Sequence, residues 1–251
     1  MGKRLRQQKA GKGSLAYRRP SHRFKTTALF RAYDDAEKTG KIEGEIMEFI
    51  DDPARGPLVM GVRLGNDEFV EMIAPEGAEI GGKIWLGATA DVAFGSVMPL
   101  SAIPDGMPVY NLEIAPGDGG RLVRGAGGNA TVVSRDGNTV YVKLPSKRVV
   151  AFDGRCRAQI GVVCGGGRLE QPLMTAGAAH HKHHALNRRW PHNRGVKMSA
   201  YNHPFGGKQH HKGKSSCVSH GAPPGRKVGH IGARQTGRRK GKTGGQGDGK
   251  A

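Results

Sequence analysis

The sequence predicts an all-β core of two tandem small barrels, with long basic irregular N- and C-terminal extensions. Three observations carry that prediction. Short apolar runs recur between Gly, Pro, Asp and Asn turns from Lys41 to about residue 163. No convincing long amphipathic helix interrupts them. The positive charge sits at the two ends rather than in the middle.

The strands can be read one by one. KIEGEIMEFI (41–50) alternates apolar and polar residues and puts Ile42 and Ile46 on one face. Asp51, Pro53, Gly56 and Pro57 break it. LVMGVRL (58–64), a Gly65-Asn66-Asp67 turn and EFVEMIA (68–74) form a hairpin signal. Pro75-Glu76-Gly77 closes it, and KIWLG (83–87) supplies the next strand. After a loop holding Pro99, Pro104 and Gly106 come VYNLEI (109–114) and a Gly-rich turn. ATVVSR (130–135) then turns at Asp136-Gly137-Asn138 into TVYVKL (139–144), followed by VVAF (149–152) and QIGVV (159–163). About nine short strands exceed what one five-stranded barrel uses, so two small barrels fit better. The expected parts are a basic N-terminal extension over 1–35, a first barrel over 36–90, a second over 91–178, and a Gly/His-rich extension over 179–251.

Charge divides the chain in the same places. The formal charge of +19 hides ten basic and no acidic residues in 1–31, and five basic against seventeen acidic in 34–118. Residues 119–178 have nine basic and three acidic, and 179–251 have sixteen basic against Asp248 alone. Cationic, glycine-rich arms around a folded centre suit threading between phosphates, where counterion release drives binding. Only 36% of residues are apolar and 41 are glycine, so part of the chain is expected to pack on a partner, and the charge makes that partner a polyanion. The acidic first barrel is left to face solvent or another protein.

Cys156, Cys164 and Cys217 are odd in number and match no disulfide framework, which points to a reducing compartment. No apolar run approaches the roughly 20 residues of a membrane span, and the basic N-terminus lacks the apolar stretch of a signal peptide. A cytoplasmic chain without a membrane partner is expected.

Sharper chemistries fare less well. Ten of the eleven histidines lie from His180 onward. His180, His181, His183, His184, His210, His211, Cys217 and His220 could be zinc ligands, but no Cys-x-x-Cys or tight Cys/His pair supports a site. No metal is expected. His203 in SAYNHPFGG is the weak catalytic candidate; its neighbour is Asn202, and no carboxylate is near in sequence to orient or tune it. Gly165-Gly166-Gly167 and Gly206-Gly207 lack the Gly-Lys-Ser/Thr ending of a phosphate loop. No cofactor is expected; magnesium ions shared with RNA phosphates would fit, though no residue demands them.

The residues that suit RNA are distributed. In the N-terminal extension they are Lys3, Arg4, Arg6, Arg18, Arg19, Arg23 and Lys25. In the second barrel they are Arg121, Arg124, Lys147, Arg148, Arg155 and Arg157, with Gly125, Gly127 and Gly128 allowing close backbone approach. In the tail they are Arg188, Arg189, Trp190, Arg194, Lys197, His203, Lys208, Arg226, Lys227, Arg234, Arg238 and Arg239. Arg and His bond phosphates or stack on bases, and aromatics give platforms. The same tails would serve a DNA-packaging protein, and an enzyme centred on His203 is the third alternative. The well-formed acidic centre weighs against the former and the missing carboxylate against the latter.

Three segments resemble the universal large ribosomal subunit protein two (ribosomal protein L-two) family in its archaeal or eukaryotic-like form. They are RRPSHRFK, GDGGRLVRGAGGNATVVSRDGNTVYVKLPSKRVV and HHALNRRWPHNRGVKMSAYNHPFGG. The resemblance covers nearly the whole chain. It departs from the bacterial pattern at Asn202-His203-Pro204-Phe205-Gly206-Gly207, where bacterial members usually carry Asp-His-Pro-His-Gly-Gly. It implies an oligonucleotide-binding-type barrel followed by an SH3-like barrel. It also implies a structural, non-enzymatic constituent of the large subunit, bound to rRNA near the peptidyl-transferase region and the subunit interface. Such a protein supports assembly, subunit association, tRNA binding and peptide-bond formation by the RNA. Neighbouring ribosomal proteins and the small subunit are the implied partners, and a homo-oligomer is not. The family histidine once linked to peptide-bond formation maps onto His203, whose usual aspartate neighbour is Asn202 here.

Overall fold

The computed structural model describes residues 2–207, 215–234 and 236. Two units form, Ser21–Pro172 and Met1–Pro20 with Leu173–Ala251. The first is the β core. Its strands are β1 (Lys41–Ile50), β2 (Val59–Leu64), β3 (Phe69–Ile73), β4 (Lys83–Gly87) and β5 (Val97–Pro99), then β6 (Pro108–Tyr110), β7 (Ala130–Asp136), β8 (Thr139–Lys143), β9 (Val149–Asp153) and β10 (Arg157–Ile160). They hydrogen-bond in the order β3-β2-β1-β4-β5-β10-β6-β7-β8-β9. The all-β expectation therefore holds. The pairing order is open, with β3 and β9 at its ends, and does not by itself close a barrel.

Both hairpins form where turn chemistry places them. Asp67 takes a φ of 63° between β2 and β3, and Gly137 a φ of 56° between β7 and β8. In β1 the alternation buries Gly44 and Ile46, with Ile42 half-buried on the same face. A bulge between Ile46 and Glu48 then shifts the register and leaves Met47 exposed.

Three details differ from the sequence reading. The stretch read as loop around Pro99 contains β5, a buried three-residue strand whose closing proline needs no ladder donor. VYNLEI stops being strand at Tyr110, because Asn111 turns to a φ of 51° and aims its amide at Gln159 Oε1, 2.9 Å away. A ten-residue helix, Ala176–Ala185, stands where no helix was read. It buries no side chain and so leaves no apolar stripe in the sequence. Its first turn is capped by Thr175, whose Oγ1 accepts from the Ala178 N–H. The boundary read at 178/179 falls inside this helix.

Two main hydrophobic cores fill the sheet. One gathers Ile46, Met60, Val62, Leu64, Met72, Ile84, Leu86 and Val97 from β1–β5. The other gathers Met98, Leu100, Val109, Val132, Val140, Val142, Ala158 and Ile160 from β5–β10 and their connections. Val97 and Met98 are adjacent residues of β5, so the strand's alternating faces serve both cores. A third cluster of Ala28, Val59, Ile73, Tyr110 and Val163 knits the halves together. Tyr110 is fully buried there and its hydroxyl donates to the Ile73 carbonyl at 3.1 Å.

Residues 21–35, read as the inner part of a basic arm, lie against the core. Ala28 and Phe30 are buried, and the Phe30 N–H donates to the Gly119 carbonyl. Arg31 bonds Asp34, Glu37 and Glu68, and the short helix Asp35–Thr39 is capped by Asp34. Beneath it Arg157, 1% exposed, bonds Glu37 at 2.9 Å and Glu113 at 2.8 Å, with both carboxylates fully buried. The Phe30 and Tyr33 rings lie 5.2 and 4.6 Å from its guanidinium. Burial pushes the Glu37 carboxyl up, opposed by the pull of Arg157 and Arg31. Arg157 was expected on an RNA surface; the fold corrects that, because its charge is spent inside on two glutamates.

In the second unit the described residues form short pieces. These are the helices Arg6–Gly11 and Ala176–Ala185, the 3-10 turns Leu15–Tyr17 and Gly195–Lys197, and a parallel pair, β11 (Cys217–Val218) with β12 (His230–Ile231). Leu5 and Val228 are its buried hydrophobic residues among those described. Among the described residues, no helix is long and apolar enough to cross a membrane.

Candidate nucleic-acid interface

The β core gathers cations around bare backbone. The Gly125–Gly128 loop meets the Gly165–Gly167 loop: the Gly127 N–H donates to the Val163 carbonyl, and the Val163 N–H to the Gly128 carbonyl. A Cβ on Gly127 would press to 2.7 Å on Gly166 Cα, so only glycine permits this approach. Gly56 adjoins Gly165 and carries the Arg168 guanidinium over its face.

Three arginines stand near one another at this place. Arg124 is half-buried and donates to the Gly120 and Ala28 carbonyls. Burial, then Arg55 and Arg121, lowers its affinity for its proton. Arg55 pairs with the buried Asp52 and donates to the Thr26 and Thr27 carbonyls. Arg121 is exposed. Carbonyls satisfy the Arg124 hydrogen bonds without cancelling its charge, so Arg124 and the exposed Arg121 leave positive potential for an anion beside the Arg55–Asp52 pair.

The other expected residues scatter. Lys147 and Arg148 are exposed at the β8–β9 turn, where Lys147 takes a φ of 67°. Arg155 is exposed but bonded to Asp153, and holds that carboxyl down to about 2. Arg23 and Lys25 are exposed on the strap leading to Ala28. Sequence reasoning missed Arg55; its signal was a lone cation in an acidic stretch, three residues after Asp52. It also missed Glu37 and Glu113, which take Arg157 from the surface.

The second unit has no Asp or Glu among its described residues. Lys3, Arg4, Arg18, Arg19, Arg188, Arg189, Arg194, Lys197, Arg226, Lys227 and Arg234 are exposed there. Lys208, Arg238 and Arg239 lie outside the described residues, as do His210 and His211. Trp190 is half-buried and stacks on His183 with ring centroids 5.6 Å apart. Asn187 joins the two ends of the chain, donating to the Leu15 and Arg18 carbonyls at 3.0 and 2.7 Å. Among the described residues, no three His, Cys, Asp or Glu side chains gather as a metal site.

His203 is held in a defined state. The Phe205 N–H donates to its Nδ1 at 3.0 Å, so the ring's proton belongs on Nε2. Burial lowers its pKa and keeps it neutral. Gly195 lies against the ring so closely that a Cβ would collide with it. Gly195→Ala is therefore expected to push the imidazole outward and raise its pKa toward the ordinary value. Titration of the His203 ring protons by NMR reads the shift; an unmoved midpoint would show that the contact does not hold the ring.

These residues also line a cavity of about 700 Å³ inside the second unit. Leu5, Ala10, Tyr17 and Met198 give it an apolar lining, and Arg6, Arg188 and Arg189 bring charge. Arg6 Nη1 lies 3.1 Å from His192 Nδ1, which accepts from it.

A β core with a cationic patch of bare backbone, joined to basic segments with no Asp or Glu among their described residues, is the build of a ribonucleoprotein component. The comparisons agree. The family model for the C-terminal domain of ribosomal proteins L2 matches residues 93–225. A large ribosomal subunit protein uL2 of Methanopyrus kandleri is 46% identical, over 95% of this chain and 98% of its own. The uL2 proteins of Methanococcus maripaludis (strain C6) and Methanocaldococcus jannaschii are 49% and 48% identical, over 95% and 96% of this chain and all of theirs. The chain belongs to the uL2 family of large-subunit ribosomal proteins. That family places it in the ribosome, which is cytoplasmic in archaea.

Proposed function

We propose that the chain is a structural, non-catalytic binder of large-subunit rRNA near the peptidyl-transferase region and the subunit interface. There it supports assembly, subunit association, tRNA binding and peptide-bond formation by the RNA. Neighbouring ribosomal proteins and the small subunit are its other partners, magnesium comes shared with RNA phosphates, and the chain acts as a single copy. The observation that carries this reading is a second unit with no Asp or Glu among its described residues, together with the exposed Arg121 and the carbonyl-bonded Arg124 of the core. Such a surface has no counter-ion of its own and takes one from a phosphate backbone.

Within the core, β1–β4 are read as the oligonucleotide-binding-type half and β5–β10 as the SH3-like half; their separate cores support the division. His203 is read as a neutral RNA contact. A general base needs a partner to orient it and a pKa near working pH, and its Nδ1 is occupied by a backbone N–H.

Sucrose-gradient sedimentation of a lysate after a high-salt wash tests the proposal. The chain is expected to stay with the large subunit while loosely held basic proteins leave. Loss to the top of the gradient, or cosedimentation with DNA, would overturn it in favour of a DNA-packaging role.

A further inference from the structure

We propose that the cavity bounded by residues 5–17 and 183–203 holds one unstacked nucleotide of RNA, its base on the apolar lining and its phosphate on the arginines. This rests on the RNA-binding reading above and says where in the second unit a single base is received.

The volume of about 700 Å³ is in the range of small-ligand pockets and accommodates a base with its sugar and phosphate. Leu5 is buried, and with Ala10, Tyr17 and Met198 it gives a base an apolar and aromatic surface to leave water for. The polar groups have assigned roles. His203 presents Nε2–H as its one donor, because Nδ1 accepts from Phe205. His183 Nδ1 lies 2.6 Å from the Ala179 carbonyl and donates to it, which leaves Nε2 as the ring atom that can meet a ligand. Both histidines line the cavity, and their ring nitrogens suit the polar edge of a base rather than a plain anion.

The phosphate has a place as well. Arg6 is oriented by His192, and Arg188 and Arg189 are exposed at the same cavity. No carboxylate among the unit's described residues competes for them. Free inorganic anions would satisfy the arginines but leave the apolar lining and the two histidines unused. A protein side chain could fill the lining but would bring no phosphate.

The test is ultraviolet crosslinking of assembled large subunits, followed by nuclease and protease digestion and mass spectrometry. A nucleotide adduct on Tyr17, His183 or His203 is expected. Ala10→Trp, which fills the cavity from an exposed helical position, is expected to lower that adduct at least tenfold per copy of the chain in the subunit. Adducts confined to residues outside the cavity overturn the inference and leave the RNA reading standing, as does an undiminished adduct in A10W. A peptide in place of a nucleotide overturns it too. Should A10W fail to assemble, the unsubstituted subunit decides alone. Absence of RNA adducts anywhere in the chain, with loss from the subunit at high salt, would instead sink the RNA reading itself.

Discussion

Arg157→Ala is expected to destabilise the β core by about 3–5 kcal/mol, because it leaves the buried carboxylates of Glu37 and Glu113 without their shared cation. For a chain this long, that lowers the melting temperature by on the order of 10 °C. The loss should depend on pH in a defined direction. Burial already pushes Glu37 up, and removing Arg157 pushes it further. A carboxyl raised in the folded state favours folding while protonated, and that contribution disappears as pH rises through its folded pKa. The penalty of R157A should therefore be smallest below the ordinary carboxylate range and grow toward neutral pH. Urea unfolding of wild type and R157A from acid to neutral pH measures it. Arg157→Met combined with Glu37→Gln and Glu113→Gln should recover most of the stability, since neutral amides need no cation. A pH-independent penalty, or a triple variant as weak as R157A, would show that packing against Phe30 and Tyr33 dominates instead.

Arg157 also marks where sequence reading stops. In the sequence it is one basic residue in a basic segment, and Glu113 and Glu37 lie 44 and 120 positions away. Charge counting is blind to pairings at such separations. The hint was local: Glu113 sits inside the apolar run of VYNLEI, and Arg157 precedes the apolar strand end at Ile160. Where structure follows from neighbours, the reading was good. KIEGEIMEFI became β1 because alternation over ten residues has one extended solution, and both hairpins followed from Gly, Asn and Asp in their turns. The three residues of β5 were too few to carry a period, and their proline reads as loop. The cavity was invisible for the same reason as the Arg157 clamp. Its walls come from residues 5–17 and 183–203, and no spacing rule brings together segments with no apolar period. Family resemblance supplied the expectation of an oligonucleotide-binding-type and an SH3-like barrel; composition and periodicity alone stopped at two small barrels in tandem.

Shortening the chain to residues 21–172 is expected to leave a folded core that has lost most of its salt-dependent affinity for large-subunit RNA. Both cores and the Arg157 clamp lie within those residues, so a cooperative unfolding transition should survive. The charge does not survive: 17 basic residues remain against 20 acidic ones, so the sign of the net charge reverses. The removed segments carry 23 basic residues and the single Asp248. If half of those cations sit on phosphates, the slope of log affinity against log salt falls by about 10. Filter binding of full-length and shortened chains to large-subunit RNA between low and moderate salt reads both slopes. A weak, shallow residual affinity should remain, because Arg55, Arg121 and Arg124 stay in place around the glycine loops. Equal slopes for the two chains would mean that the core holds the RNA and the extensions serve another partner. A residual affinity abolished by Arg121→Ala would locate the core's own phosphate contact at the glycine patch.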